Sequence, residues 1–155
     1  MKKTMLTVCA LAMLTACGKN HSDSGSASDS TMTASRAFVE DFKKDGSNVV
    51  YFGFDKSSLS DEAAVRLEKK IEAMKNCPNI SYVVEGYADP RGTEDYNLAL
   101  GEKRATAVKR FFLDRGIQDH ALTVISYGKE ESRLADTGTT EEAYAKNRRA
   151  EVVPN

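Results

Sequence analysis

Between Val49 and Val153 the chain switches repeatedly between two hydrophobic rhythms. Val50, Phe52 and Phe54 alternate with Val49, Tyr51 and Gly53, a period of two that predicts a strand with apolar groups on both faces, ending at Asp55. Then the period lengthens. Ala64, Leu67, Ile71 and Met74 recur at helical spacing as core positions, and Ser58, three residues before Asp61, is placed to cap that helix. Asn76-Cys77-Pro78-Asn79 stops it, and Ile80 to Tyr87 reads as a second strand. A Pro/Gly turn carrying Asp89 and Arg91 leads into a second helix, whose first turn holds Glu94 and Asp95, acids that offset the helix dipole. Its apolar stripe is Leu100, Val108 and Phe111 or Phe112, and Gly116 marks its stop. Leu122 to Tyr127 is a third strand ending at Gly128, Glu141 to Arg148 a helix, and Ala150 to Val153 a last short strand. The alternation β-α-β-α-β-α-β predicts an α/β two-layer sandwich, a mixed sheet with helices on one face. Pattern alone leaves the strand order open.

One residue breaks the second helix's stripe. Arg104 falls on its inward edge, where a guanidinium needs a partner, and the nearest candidate by position is Asp89 at the end of the strand that feeds the helix. Two readings follow. Asp89 and Arg104 form a structural ion pair, or they are separate poles, acid and base on rigid elements, of a receptor for a small zwitterion.

Upstream of the regular pattern the composition changes twice. Residues 36–47, with Phe38, Val39 and Phe42, suggest a short helix or docking segment at the edge of a domain spanning 48–155. Gly18 to Ser35 is a Ser/Asp/Gly/Thr tract with too little apolar surface to order itself. It reads as a tether, with an r.m.s. span of about 23 Å and a reach of about 60 Å when drawn out. Before it, Lys2 and Lys3 precede an apolar run from Met5 to Ala16. A helix of that length rises only about 18 Å, short of the roughly 30 Å hydrocarbon core, so residues 1–16 read as an export signal. Its ending, Leu14-Thr15-Ala16-Cys17, resembles the lipobox of bacterial lipoproteins. That resemblance implies cleavage before Cys17, a diacylglyceryl thioether on its sulfur and a further acyl chain, such as palmitate, on its amino group. Several chains, at about 0.8 kcal/mol per buried CH2, hold far more firmly than one. Gly18, where inner-membrane lipoproteins carry Asp, implies the outer membrane.

Charge and cysteine usage narrow the classes. Without Lys2 and Lys3 the 22 basic residues fall to 20 against 23 acidic ones, a mildly acidic chain with no basic cluster and no support for nucleic-acid binding. With Cys9 in the signal and Cys17 lipidated, Cys77 would be a lone, space-filling thiol, leaving no intramolecular disulfide. His21 and His120 are far apart, and no metal-ligand spacing is present. A hydrolase needs an acid with a base or an activated nucleophile, and Glu85, Asp89 and His120 form no such arrangement. No cofactor is expected.

Six ordered motifs together carry a family resemblance. They are Tyr51-Phe52-Gly53-Phe54-Asp55, Glu85 to Thr93, Tyr96 to Gly101, Arg104-Ala105, Ser126 to Glu130, and Asn147-Arg148-Arg149-Ala150. Over about residues 48 to 153 they resemble the OmpA C-terminal-like domain superfamily, and with the lipobox and tether the match is closest to its lipoprotein members. The resemblance implies non-covalent binding of the meso-diaminopimelate side chain of peptidoglycan. That group is an amino acid zwitterion on an aliphatic stem, so its receptor needs an anion, a fork of donors and apolar walls. By family motif, Asp89 would take the ammonium and Arg104 the carboxylate, with a bidentate fork that lysine lacks. Arg91 matches a further contact, Phe54 and Asp55 line the site, and Leu100 supplies an apolar contact one turn before Arg104. Asn147 and Arg148 are expected to orient it. The resemblance also implies TolB, and other Tol or envelope proteins, as partners of an outer-membrane protein with its domain in the periplasm. The alternative is a wall anchor without Tol partners.

Overall fold

The computed structural model describes residues 36–155. The expected signal at 1–16, Cys17 and the tether to residue 35 lie outside the described residues.

Residues 36–43 are helical (α1), and the regular alternation follows as β1 Val49–Tyr51, α2 Asp61–Asn76, β2 Tyr82–Tyr87, α3 Glu94–Leu113, β3 Leu122–Gly128, α4 Glu141–Asn147 and β4 Arg149–Pro154. Each of the last three helices starts on a hydroxyl cap. Ser60, Thr93 and Thr140 accept from Ala63, Tyr96 and Ala143 backbone N–H groups, satisfying donors that the first helical turn leaves without partners. Ser60 replaces the expected Ser58, because it is the residue immediately before the helix whose hydroxyl reaches Ala63. The first strand also ends early, at Tyr51, although Phe52 N–H still donates to Arg148 carbonyl at 2.8 Å. Phe54, read as a strand position, lies beyond the ladder and is 60% exposed.

The four strands form one mixed sheet in the order β1-β4-β2-β3. β2 and β3 run parallel, joined through α3, while β4 is antiparallel to both of its neighbours. The last strand thus inserts between the first and second, a placement that the pattern could not give. Val50, Val84 and Val152 point from the sheet into a core shared with Leu67 and Met74 of α2 and Val108 and Phe112 of α3. Phe42 of α1 joins this core, its ring 5.4 Å from that of Tyr82, so the edge segment is part of the fold. Cys77 is buried and disulfide-bonded. That corrects the reading of a lone thiol, which counted Cys9 and Cys17 as removed or acylated.

The contact between β2 and α3 sets the geometry of everything near the turn. Gly86 and Gly101 meet so closely that a Cβ on Gly86 would stand 1.9 Å from the Gly101 carbonyl oxygen. No side chain fits there. Backbone therefore packs on backbone, and the end of β2 is held in a fixed relation to the helix turn that follows Gly101.

Candidate functional site

Arg104 lies one turn beyond Gly101 and is fully buried. Its stem continues the inward face of α3, with Ala105 and Val108, while its guanidinium reaches the turn region where β1 and β2 end. There it donates to three backbone carbonyls: Nη1 to Tyr87 at 2.7 Å, Nε to Lys56 at 2.9 Å and Nη2 to Gly53 at 3.3 Å. The Phe52 ring lies 5.3 Å from Cζ. Among the described residues no carboxylate is within salt-bridge distance of this cation. Three of its five N–H groups are used, leaving one on each terminal nitrogen. Burial pulls its pKa down to about 10, against the pull of Asp89, because a desolvated charge is disfavoured without an anion beside it.

Asp89 is also buried, but its partners are different. Oδ1 accepts from Arg91 backbone N–H at 3.2 Å and Nε at 3.1 Å; Oδ2 accepts from Arg91 Nη2 at 2.7 Å and Arg148 Nη1 at 3.3 Å. Burial pushes this carboxyl up, and the hydrogen bonds from Arg91 and Arg148 outweigh it, holding Asp89 below the usual carboxylate range. The structural pair Asp89–Arg104 is therefore not formed. The acid spends its acceptors on two other arginines, and the helix arginine spends its donors on backbone.

Between the two groups lies a cavity of about 190 Å³ lined by Phe54, Asp55, Asp89, Arg91, Gly92, Tyr96, Asn97, Leu100 and Arg104. All six residues expected to line the site, Phe54, Asp55, Asp89, Arg91, Leu100 and Arg104, border it. Grooves of about 690 and 610 Å³ exist elsewhere on the surface, but neither is bordered by a buried charge. The walls fit a short amphipathic guest. Leu100 supplies apolar surface, and Phe54 and Tyr96, 60% and 53% exposed, stand at the rim. Asp55 is in the left-handed region at φ 56°, a conformation aspartate tolerates, and it accepts the Tyr96 hydroxyl.

Arg148 donates through Nε to Phe52 carbonyl at 3.1 Å and through Nη2 to Glu141 at 2.8 Å, besides its contact with Asp89. Asn147 lies further off. Its side-chain oxygen accepts from Ala135 and Asp136 backbone N–H groups at 2.7 and 3.2 Å, and its amide donates to Asp136 carbonyl at 2.7 Å, so it fixes the loop before α4. Four residues around the site were missed as participants by sequence reasoning. Tyr96, which binds Asp55, and Asn97, which donates to the Arg91 and Thr93 carbonyls at 2.7 and 3.0 Å, stood inside a motif but had no assigned role. Glu141 and Tyr144 come from α4. Glu141 is 3.4 Å from Arg91, and the Tyr144 ring is 4.4 Å from the Arg91 Cζ.

Comparison with known proteins gives consistent matches. A model of the OmpA family matches residues 51–148. The peptidoglycan-associated lipoprotein of Pasteurella multocida is 38% identical over 152 residues, 96% of this chain and 94% of the relative. That of Haemophilus influenzae is 36% identical over 148 residues, again with 96% and 94% covered. Among solved structures, the peptidoglycan-associated lipoprotein from Burkholderia pseudomallei superposes with a TM-score of 0.66 at 37% identity, covering 70% of this chain and 90% of that one. The OmpA-like domain of FopA1 from Francisella tularensis shares the fold, with a TM-score of 0.58 at 23% identity over 69% of this chain and 72% of that one.

Proposed function

This chain belongs to the OmpA family, and from that membership we propose that its domain binds the meso-diaminopimelate side chain of peptidoglycan. One observation carries the reading. Arg104 is a fully buried guanidinium with no carboxylate partner among the described residues, two N–H groups to spare, and a cavity before it whose other charged wall contains Asp89. A buried cation without an anion is costly, so the site is built to receive one. A free amino acid end brings a carboxylate for Arg104 and an ammonium for the acidic side, and the aliphatic stem of diaminopimelate can lie along Leu100. The relatives named for peptidoglycan association support the same ligand class.

The envelope role extends this proposal. The signal, lipidated Cys17 and tether make the chain an outer-membrane lipoprotein with its domain in the periplasm. Wall binding then ties outer membrane to peptidoglycan, with TolB and other Tol proteins as partners in a Tol-Pal system serving envelope integrity and cell division. The wall function is non-enzymatic.

Sedimentation with purified sacculi tests the core of this reading. Wild type should pellet with the wall, while Asp89→Ala and Arg104→Ala, each checked for folding by thermal melting, should remain largely in solution. Undiminished pelleting of both folded variants would sink the site. Release of muropeptides by the wild type would instead make it an enzyme, and failure to capture TolB from periplasmic extract would leave an anchor without Tol partners.

A further inference from the structure

The acidic wall of the site holds a detail that the ligand reading does not use. A carboxylate accepts at about four positions, and Asp89 fills them: two from Arg91 on Oδ1, one from Arg91 and one from Arg148 on Oδ2. An ammonium brought to Asp89 must displace a donor. Arg148 is poorly suited to leave. It is 6% exposed, it is pinned by Phe52 carbonyl and Glu141, and it does not border the cavity. Arg91 borders the cavity, its side chain is 38% exposed, and among the described residues its one ionic partner besides Asp89 is Glu141, at 3.4 Å. The rings of Phe54 and Tyr144 each lie 4.4 Å from its Cζ, so the guanidinium has flat surfaces to move along.

We infer that Arg91 is a specificity-determining residue that gives up its side-chain bonds to Asp89 only to a ligand bringing its own cation, and that Glu141 is the positioning residue that takes Arg91 over. The inference rests on the ligand reading above and adds a selection step to it. A guest with a carboxylate but no amine can reach Arg104 yet leaves Arg91 on Asp89. A zwitterion replaces Arg91 at Asp89, and Arg91 keeps an ionic partner because Glu141 already stands beside it. Glu141 also holds Arg148 at 2.8 Å, so the arginine that remains on Asp89 is steadied by the same carboxylate.

The test is a double-mutant cycle in solution with one probe, a muropeptide whose stem peptide ends in meso-diaminopimelate. Affinity is measured for wild type, Glu141→Gln, Arg91→Met and the double variant. With Arg91 present, Glu141→Gln should weaken binding about fivefold; with Arg91 replaced, by less than about twofold. Equal losses in the two backgrounds would overturn the transfer, showing that Glu141 acts through Arg148 or through folding. Absence of binding by wild type would overturn the ligand reading and this inference together, so the two failures are distinct. Where Arg91→Met binds too weakly to titrate, the Arg91 Nε–H resonance of 15N-labelled wild type decides. It should shift and exchange faster with water on saturation by the muropeptide and stay unmoved with the same muropeptide acetylated at the diaminopimelate amine. A resonance unmoved by the free amine, or moved equally by both, would overturn the inference.

Discussion

Lys70 on α2 and Arg104 on α3 are two cations at core-facing positions of the two long helices, 3% and 0% exposed. Lys70 donates to the Phe42 carbonyl and to Asp45 at 2.8 Å, and Asp45 in turn accepts from Ser47 backbone and hydroxyl. That charge is compensated inside the fold. Arg104 has three carbonyls and, among the described residues, no carboxylate at salt-bridge distance, and it borders a cavity. On the ligand reading proposed above, the difference separates a structural cation from a recognition cation. Lys70 clamps α1 and the following turn to α2, whereas Arg104, on that reading, is balanced by an anion that the ligand brings.

Removing Arg104 should therefore have the largest effect. Arg104→Ala is expected to lower muropeptide affinity by about 3 kcal/mol, roughly a hundredfold, because truncating one partner of a desolvated charge pair costs 2–5 kcal/mol. It also removes the donor from the carbonyl of buried Tyr87 and from those of Gly53 and Lys56, so some stability goes with it. Arg104→Lys separates the effects: it keeps charge, loses the planar fork, and should still bind at least tenfold more weakly if bidentate recognition matters. Neutralising the more exposed Arg91 should cost less than neutralising Arg104. Equal losses in a titration would remove the distinction between a fixed and an exchangeable arginine.

The next effect falls on the element that places the recognition cation. Gly86→Ala would set a methyl carbon against the Gly101 carbonyl and push β2 from α3, the two elements that lead to Asp89 and Arg104. Overpacking of this kind costs about 2–3 kcal/mol. Chemical denaturation should show that loss, and affinity should fall with it. A variant as stable as wild type would mean that the strand and helix can separate without harm.

Much of this contrast was legible in the sequence, and the rest was hidden for definable reasons. The shift between periods of two and of three to four gave every strand and helices α2, α3 and α4, since alternation is set by side-chain direction. It could not give the insertion of β4 between β1 and β2, which depends on long-range pairing. Arg104 was visible because it interrupts an apolar stripe. Its partners were not, because backbone carbonyls of Gly53, Lys56 and Tyr87 have no signature in side-chain pattern. Lys70 was missed for the opposite reason: next to Lys69 it reads as ordinary solvated charge, and only α1 folding over it makes it interior. Glu141 has a sufficient local reason, an acid in a helix's first turn, that masks its bridge between two arginines.

The internal clamp should behave as stability without recognition. Lys70→Met removes the charge and keeps most of the apolar stem, leaving Asp45, whose side chain is 51% exposed, able to rehydrate. A loss of about 1–2 kcal/mol in unfolding free energy is expected, below the cost of stranding a fully buried partner. Affinity for the muropeptide should stay within about twofold of wild type, since changes that share no partners are additive. A large affinity loss in a folded Lys70→Met protein would make the two cations parts of one network.

The smallest effect expected is that of mild acid, and its sign follows from the two carboxylates. Burial pushes Asp45 up, but hydrogen bonds from Lys70 and Ser47 and the charge of Lys70 outweigh it and hold Asp45 well below the carboxylate range. Asp89 is lowered too, burial again being outweighed by Arg91 and Arg148. A carboxyl lowered on folding contributes stability that is present above its unfolded pKa, near 3.9, and is lost as pH falls through its folded value. Between pH 7.5 and 5.5 both groups remain ionised in folded and unfolded chains alike. Neither the clamp nor the acidic wall of the pocket should weaken there, and affinity should change by less than about twofold. A muropeptide titration that loses tenfold across this interval would show that Asp89 gains a proton near neutrality, and then Arg91 and Arg148 could not both be holding it as they do here.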